Sequence, residues 1–267
     1  MSVIAKRTQL IATSLEYERI EQGLREWQPD KVIIVTNIAP LPTHKEVAEV
    51  TLEKTKELVK KSTRLNFHHG SIEIAPVDFY HFNVALPSLY EVVYREKKLG
   101  NQLIVNLAGG TRPVAIASVF ACALCGFGFP VYLVAETYDT NRTRTRVGAR
   151  GVIDSTFPIE MTDTLFNLEK LIPQVNEELT IIRVLLDSVG YSSRLTAILQ
   201  KTTNARKPTV DKPSSSEYTR YTRAIQKLEK QNFLKKSGRT LSLTEIGKVV
   251  GNIIRAKERI DNDFRDS

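Results

Sequence analysis

The stretch Lys31–Asn37 (KVIIVTN) runs through four consecutive apolar residues, Val32 to Val35, with no polar alternation. A strand with one face in water alternates. A strand without alternation is buried on both faces, as in the interior of a parallel sheet. A similar run recurs at Gln102–Leu107 (QLIVNL), with further candidate strands at 8–14, Ile72–Val77 and Val131–Ala135. Helical spacing fills the intervals. Ile20, Leu24 and Trp27 mark 17–27, and Val47, Val50, Leu52, Leu58 and Val59 mark 44–62. A third helix is expected over 82–98, weakened at Pro87, and an Ala-rich buried one over 111–126. Strands alternating with helices predict an α/β domain of Rossmann type, a parallel sheet covered on both faces. After Tyr138 the chain turns polar and basic (DTNRTRTRVGAR, 139–150). GVIDSTFPIEM then reads as a hairpin or antiparallel edge strand closing the domain.

A chain of 267 residues suggests one large domain or two modest ones at about 100–200 residues each. The charge divides it. Residues 1–170 hold 20 Lys/Arg against 19 Asp/Glu, whereas 171–267 hold 18 against 11. Within 194–239 the ratio is 12 to 3, so the positive field sits in one short stretch. Such a patch draws phosphate polymers. The expected organisation is an α/β domain over 1–160, a linker over 161–176 and a second domain over 177–267. No apolar run approaches the roughly 18–20 residues of a membrane span, and no membrane partner is expected. The start, MSVIAKRTQLIATS, lacks a signal-peptide pattern, and two cysteines cannot frame a secreted fold, so a cytoplasmic location is expected.

Ligands of open parallel sheets bind beyond the carboxyl ends of the strands, where the strand order reverses. There the sequence reads Asn106-Leu107-Ala108-Gly109-Gly110-Thr111-Arg112-Pro113. A strand ends, two glycines permit positive φ or a close approach, and Thr111 can cap a helix whose first turn accepts Pro113. The helix start offers N–H groups and partial positive charge to a phosphate, with Arg112 beside it. The segment is neither a Walker A loop nor G-x-G-x-x-G, and a Gly-Gly turn of this kind also arises for packing alone. Thr13, Ser14 and Leu15 after the first strand, and Thr36 and Asn37 after the second, should line the same crevice. Ordinary capping is the competing role for such residues.

Other motifs carry less. Cys122 and Cys125 form C-x-x-C inside an apolar helix and are expected to be buried and inert, with no second pair for zinc. His68 and His69 are adjacent, and His44 and His81 stand apart, without an H-x-x-x-H pair. No metal and no catalytic cofactor are expected.

The alternating order, the polar turn after the first strand and the NLAGGTRP segment resemble the CARF family, the CRISPR-associated Rossmann fold, over about residues 1–160. The resemblance implies a homodimer that binds a cyclic oligoadenylate, with cyclic tetra-adenylate the favoured ring. It implies that Asn106, Gly109, Gly110, Thr111 and Arg112, with Ala108 in the same turn, hold phosphate or ribose. Ser14 and Leu15 form the opposing loop. No catalytic residue is assigned in this reading. The rival reading is a ring nuclease in which Ser14, Thr111 and Arg112 align a ribose hydroxyl on its own phosphate. A sensor of some non-nucleotide ligand is a third.

In the second part, Glu177–Val189 is expected to be a helix, with Ser192 or Ser193 capping the next (RLTAILQKT). A polar connection rich in Lys, Arg and Pro follows, and Ser215 or Ser216 opens a longer helix. LKKSGRTLSL (234–243) reads as two short strands about a Ser-Gly turn, and Thr244 caps a last helix. These elements resemble winged helix-turn-helix domains of the archaeal and MarR-like kind over about 177–260, with LSLTEIGK as the exit from the wing. The resemblance implies double-stranded promoter DNA as partner. Tyr218, Thr219, Thr222 and Arg223 would face bases, and Ser215, Arg220, Lys227, Lys236 and Arg239 the backbone. Joined, the two parts predict a ligand-responsive transcriptional regulator of a CRISPR-Cas system. A winged helix used only for protein contact is the alternative.

Overall fold

The computed structural model describes residues 5–38, 40–62, 72–135, 153–158, 172–194, 197–199 and 214–265. The expected motifs at His68, His69, 139–150 and most of 195–213 lie outside them. The chain divides into two compact units, Met1–Glu169 with Asn262–Ser267, and Lys170–Asp261.

The first unit is built on β1 (Arg7–Ala12), β2 (Lys31–Asn37), β3 (Ile72–Val77), β4 (Gln102–Asn106), β5 (Phe129–Ala135) and β6 (Ile153–Pro158). Helices α1 (Tyr17–Trp27), α2 (Lys45–Ser62), α3 (Phe82–Lys98) and α4 (Arg112–Cys125) connect the first five strands. The sheet order is β3-β2-β1-β4-β5-β6. The first five strands are parallel and β6 is antiparallel to β5. This is the Rossmann-like α/β fold, with the reversal of strand order between β1 and β4. α1 packs on α2, and α3 on α4. Right-handed crossovers place the two pairs on opposite faces. Val32 to Val35 are all 0% exposed, which is why β2 has no polar alternation. One core cluster joins Ile11, Ile20, Leu24, Val32, Ile34 and Val59 from β1, α1, β2 and α2. α3 runs through Pro87 without a break.

The amino edge of the sheet is tied by charge. Glu96, fully buried at the end of α3, accepts from Thr8 Oγ1 at 2.8 Å, Lys31 Nζ at 2.8 Å and Asn101 Nδ2 at 2.8 Å. Lys31 also reaches Glu73 at 2.8 Å, and Arg95 pairs with Glu73. Burial pushes the Glu96 carboxyl up, but the donors around it and the Lys31 charge outweigh that and hold it below the usual carboxylate range. Burial likewise pushes Lys31 down, and its bonds to Glu73 and Glu96 carry it above the usual ammonium value.

The second unit comprises α5 (Asn176–Leu186), β7 (Ser192–Arg194), α6 (Ser215–Lys230), β8 (Leu234–Ser237), β9 (Thr240–Leu243) and all but the last two residues of α7 (Glu245–Asp263). The strands form an antiparallel sheet in the order β7-β9-β8. Ser192 and Ser193 therefore stand in a strand rather than at a helix start, because β9 offers them an edge. The α6 cap is Ser214, one residue before the expected serines. It forms a capping box in which its oxygen accepts from Glu217 N and the Glu217 carboxylate accepts from Ser214 N. The β8–β9 turn uses Gly238, at φ +58°, and Arg239. Thr244 Oγ1 accepts from Gly247 N at 3.0 Å, as expected of a cap. A methyl group at Gly247 would meet the Phe233 carbonyl oxygen at 2.1 Å, so α7 can start there only with glycine.

Candidate functional site

The carboxyl edge of the sheet brings the turns after β1, β2, β3 and β4 together. At the reversal point the turn after β4 lies directly on the turn after β1. A Cβ on Gly109 would meet the Ala12 carbonyl oxygen at 2.1 Å, and one on Gly110 would meet Ala12 Cβ at 2.8 Å. Gly110 also holds φ at +77°. The glycines are thus required first by the neighbouring turn, and Gly109 is buried there.

The side chains expected at this edge fall into two groups. Some are spent within the protein. Asn106 is buried, and its Oδ1 accepts from Ala108 N at 2.9 Å. Its Nδ2 turns toward α1, where a Cβ on Gly23 would lie 2.7 Å from it. Thr13 and Ala108 are buried. Asn37 Oδ1 accepts from Phe79 N at 3.3 Å, and Thr111 Oγ1 donates to the Phe79 carbonyl. These two residues, from the end of β2 and the turn after β4, thereby clamp the buried Phe79 between them. Thr111 stands at the N-cap of α4, but its hydroxyl bonds to Phe79 and makes no cap bond.

The other group faces outward. Leu15 is 62% exposed, Gly110 is exposed, and Ser14 and Thr36 are half-buried. Ser14 Oγ accepts from Glu16 N at 3.1 Å, which leaves its own proton to donate. Arg112 is exposed at the first position of the 14-residue α4. It makes no ion pair or hydrogen bond with a described residue. On the same helix face, four and eight residues on, are Ile116 at 51% and Phe120 at 39% exposure.

Sequence reasoning missed the turn after β3. Asp78 Oδ1 accepts from Tyr80 N at 2.7 Å and His81 N at 2.9 Å, and Asp78 Oδ2 lies 2.9 Å from His81 Nδ1. Burial raises the Asp78 carboxyl, and the His81 ring and the two backbone N–H groups bring it below its ordinary value. His44 Nδ1 is 3.3 Å from Tyr80 Oη. The signal was VDFYHF, an acid, a histidine and aromatics directly after a strand. Cys122 and Cys125 are buried and form no disulfide, and burial pushes the Cys122 thiol up to about 12. Among the described residues no group of His, Cys, Asp and Glu could hold a metal ion. No described helix is long and apolar enough to cross a membrane.

In the second unit the buried face of α6 is Tyr221, Ala224, Ile225 and Leu228. Ser215, Tyr218, Thr219, Arg220, Arg223 and Lys227 are exposed, as are Lys236 and Arg239 on the hairpin, and Thr222 is half-buried. The Thr219 and Thr222 hydroxyls donate to the Ser215 and Tyr218 carbonyls at 2.9 Å each. Two cations have acidic neighbours. Lys227 Nζ lies 2.7 Å from Glu178 Oε1, and Arg220 Nη1 lies 3.9 Å from Glu177 Oε1.

Residues 7–138 match one protein-family model, described as HFX_2341_N:-like, N-terminal. That stretch holds β1 to β5 with α1 to α4, and so the whole carboxyl edge. No curated protein matches the chain. Among solved structures, the chain is similar to Can2 from Sulfobacillus thermosulfidooxidans in complex with cyclic tetra-adenylate. Identity is 12%, the TM-score is 0.33, and the match covers 96% of this chain and 63% of that one. It is similar to Enterococcus italicus Csm6 bound to cyclic hexa-2'-fluoro-hexa-dAMP at 12% identity and TM-score 0.43, covering 98% and 55%. Protein VC1899 from Vibrio cholerae gives 8% identity and TM-score 0.34, covering 97% and 68%. The chain thus spans less than two thirds of the length of Can2 and of Csm6.

Proposed function

We propose that the first unit is a CARF-type sensor and the second a winged-helix DNA reader. Together they form a cytoplasmic, ligand-responsive transcriptional regulator of a CRISPR-Cas system. The ligand is a cyclic oligoadenylate, with cyclic tetra-adenylate the ring tested first. The observation that carries the reading is Arg112. A guanidinium with no partner among the described residues stands at the start of a long helix, at the reversal point of a parallel sheet. Charge and helix start favour the same thing there, a phosphate. Leu15 and Gly110, with the half-buried Ser14, supply the remaining surface. The clamp on Phe79 gives that surface a fixed floor. Ile116 and Phe120 continue the Arg112 face as an apolar strip, which a second copy of the chain covers in the homodimer.

Binding is expected to be read out without cleavage. Of the three residues a ring nuclease would need, Thr111 already donates its proton to Phe79, so with the clamp intact its hydroxyl can only accept from a ribose hydroxyl. Titration calorimetry with cyclic tetra-adenylate tests the sensor, and chromatography of the recovered ligand tests the nuclease. Linear products lost in Arg112→Ala would establish the enzyme instead. No heat with any cyclic oligoadenylate would remove the nucleotide reading. A ligand acts on DNA affinity only by binding two arrangements of the dimer unequally.

For the DNA reader, the support is one exposed row. Thr219, Arg223, Gln226 and Lys230 lie opposite the buried face of α6, and Lys236 and Arg239 extend the positive field on the hairpin. Tyr218 and Thr222 flank the row toward the bases, and Ser215 meets the backbone at the helix start. A gel shift with a promoter duplex should show binding that weakens steeply with salt.

A further inference from the structure

The acidic start of α5 lies against the side of the proposed recognition helix. Arg220 and Lys227 are seven residues apart, on the flank of α6 that faces α5. Glu177 and Glu178 sit in the first turn of α5 beside them. The two pairs differ in kind. Glu178 has a side chain only 4% exposed and a hydrogen-bonded contact with Lys227. Withdrawing Lys227 would leave a buried carboxylate without a counter-charge, so this pair is fixed. Arg220 is 63% exposed, and its 3.9 Å separation from the 15% exposed Glu177 exceeds hydrogen-bond distance. Such a pair is weak and exchangeable.

We propose that Glu177 is an internal competitor for DNA phosphate. It holds Arg220 along the α5 side of α6, while the outward row makes the base and backbone contacts. This inference rests on the DNA-reading assignment of the second unit and adds a limit to its affinity. A carboxylate and a phosphate oxygen present the same acceptor to a guanidinium, so Arg220 can serve only one of them at a time. Lys227 remains with Glu178 in either case. The affinity of the free protein is thereby kept below what its cation count would permit, and its salt dependence is correspondingly shallow.

The test is the slope of log affinity against log salt for the full chain on one promoter duplex, measured for wild type, Glu177→Gln and Glu177→Gln/Arg220→Ala. Glutamine keeps the size of the residue and its place in the helix, and thermal melts check that each variant is folded. Each phosphate neutralised adds about 0.9 to the slope. Glu177→Gln should bind more tightly than wild type. Its slope should steepen by roughly one contact, so that its advantage shrinks about threefold between 50 and 200 mM salt. The double variant should return to the wild-type slope. An unchanged slope in Glu177→Gln overturns the inference. So does a steeper slope that survives Arg220→Ala, since the gain would then come from net charge alone. Wild type that shows no salt-dependent binding would sink the DNA-reading assignment itself, a failure visible before any variant is made.

Discussion

The two edges of the parallel sheet handle charge in opposite ways. At the amino edge, Lys31, Glu73, Arg95 and Glu96 are drawn into one network, and Glu96 has three donors and no exposure. At the carboxyl edge, Arg112 stands exposed with no partner among the described residues. Both edges belong to the same strands, so the difference is not one of composition. A charge buried inside the fold must be fully paired, because desolvation otherwise costs several kcal/mol. A charge left open is free to meet something from outside. The amino edge stabilises the fold, and the carboxyl edge is where the proposed ligand would be met.

The largest expected effect breaks the amino edge. Glu96→Ala leaves Lys31 half-compensated and the Thr8 and Asn101 donors without an acceptor. It should cost about 3–5 kcal/mol in denaturant unfolding, the range for breaking a buried pair. Survivors that fold should still bind cyclic tetra-adenylate. Equal loss of both properties would show that the edges are not independent.

Arg112→Ala is the mirror experiment. A charge-assisted contact contributes about 1.5–3 kcal/mol, so calorimetry should show affinity for cyclic tetra-adenylate falling roughly 10- to 100-fold. The melting temperature should stay near that of wild type. A stability loss without a binding loss would reverse the assignment of the edge.

Gly109→Ala should cost about 1–3 kcal/mol, because the new methyl group must displace the Ala12 carbonyl. It differs from Arg112→Ala in moving the melting temperature as well as binding. A neutral result would mean that the turns after β1 and β4 are not packed as tightly as the glycines imply.

The smallest effect is in pH. Glu96 is held below its unfolded value, so its contribution is present above the ordinary carboxylate range near ~4.3 and is lost as pH falls through the lower folded value. Lys31 is held above its unfolded value, so its contribution is complete below about 10.4 and is lost as pH rises beyond that. Stability should therefore decline on both limbs, and Glu96→Gln should flatten the acid one. A wild-type acid limb retained in Glu96→Gln would locate the titration elsewhere.

Much of the fold was legible because burial leaves a period in the sequence. β2, β3 and α3 occupy the ranges their apolar patterns predict, and the antiparallel edge strand after Tyr138 is β6. The errors came where a partner decides. Ser192–Arg194 is too short to signal a strand and is one only because β9 pairs with it. α6 does open at Ser215, and its cap is Ser214 because Glu217 stands three residues on. At the carboxyl edge the expected polar residues do lie at the strand ends, but their uses were not readable. Asn37 and Thr111 look identical to ligand contacts until Phe79, dozens of residues from either, is seen between them.

What the sequence determined by itself is local and periodic: which runs are strands buried on both faces, which helices have an apolar stripe, and where the charge collects. Tertiary structure alone decided which polar groups are already satisfied. Hydrogen bonds and ion pairs are closed between segments remote in the chain, such as Thr8 with Glu96 and Lys227 with Glu178, and no local pattern encodes their distance. Arg112 shares its residue type with the paired Arg95 and differs from it in having no partner among the described residues.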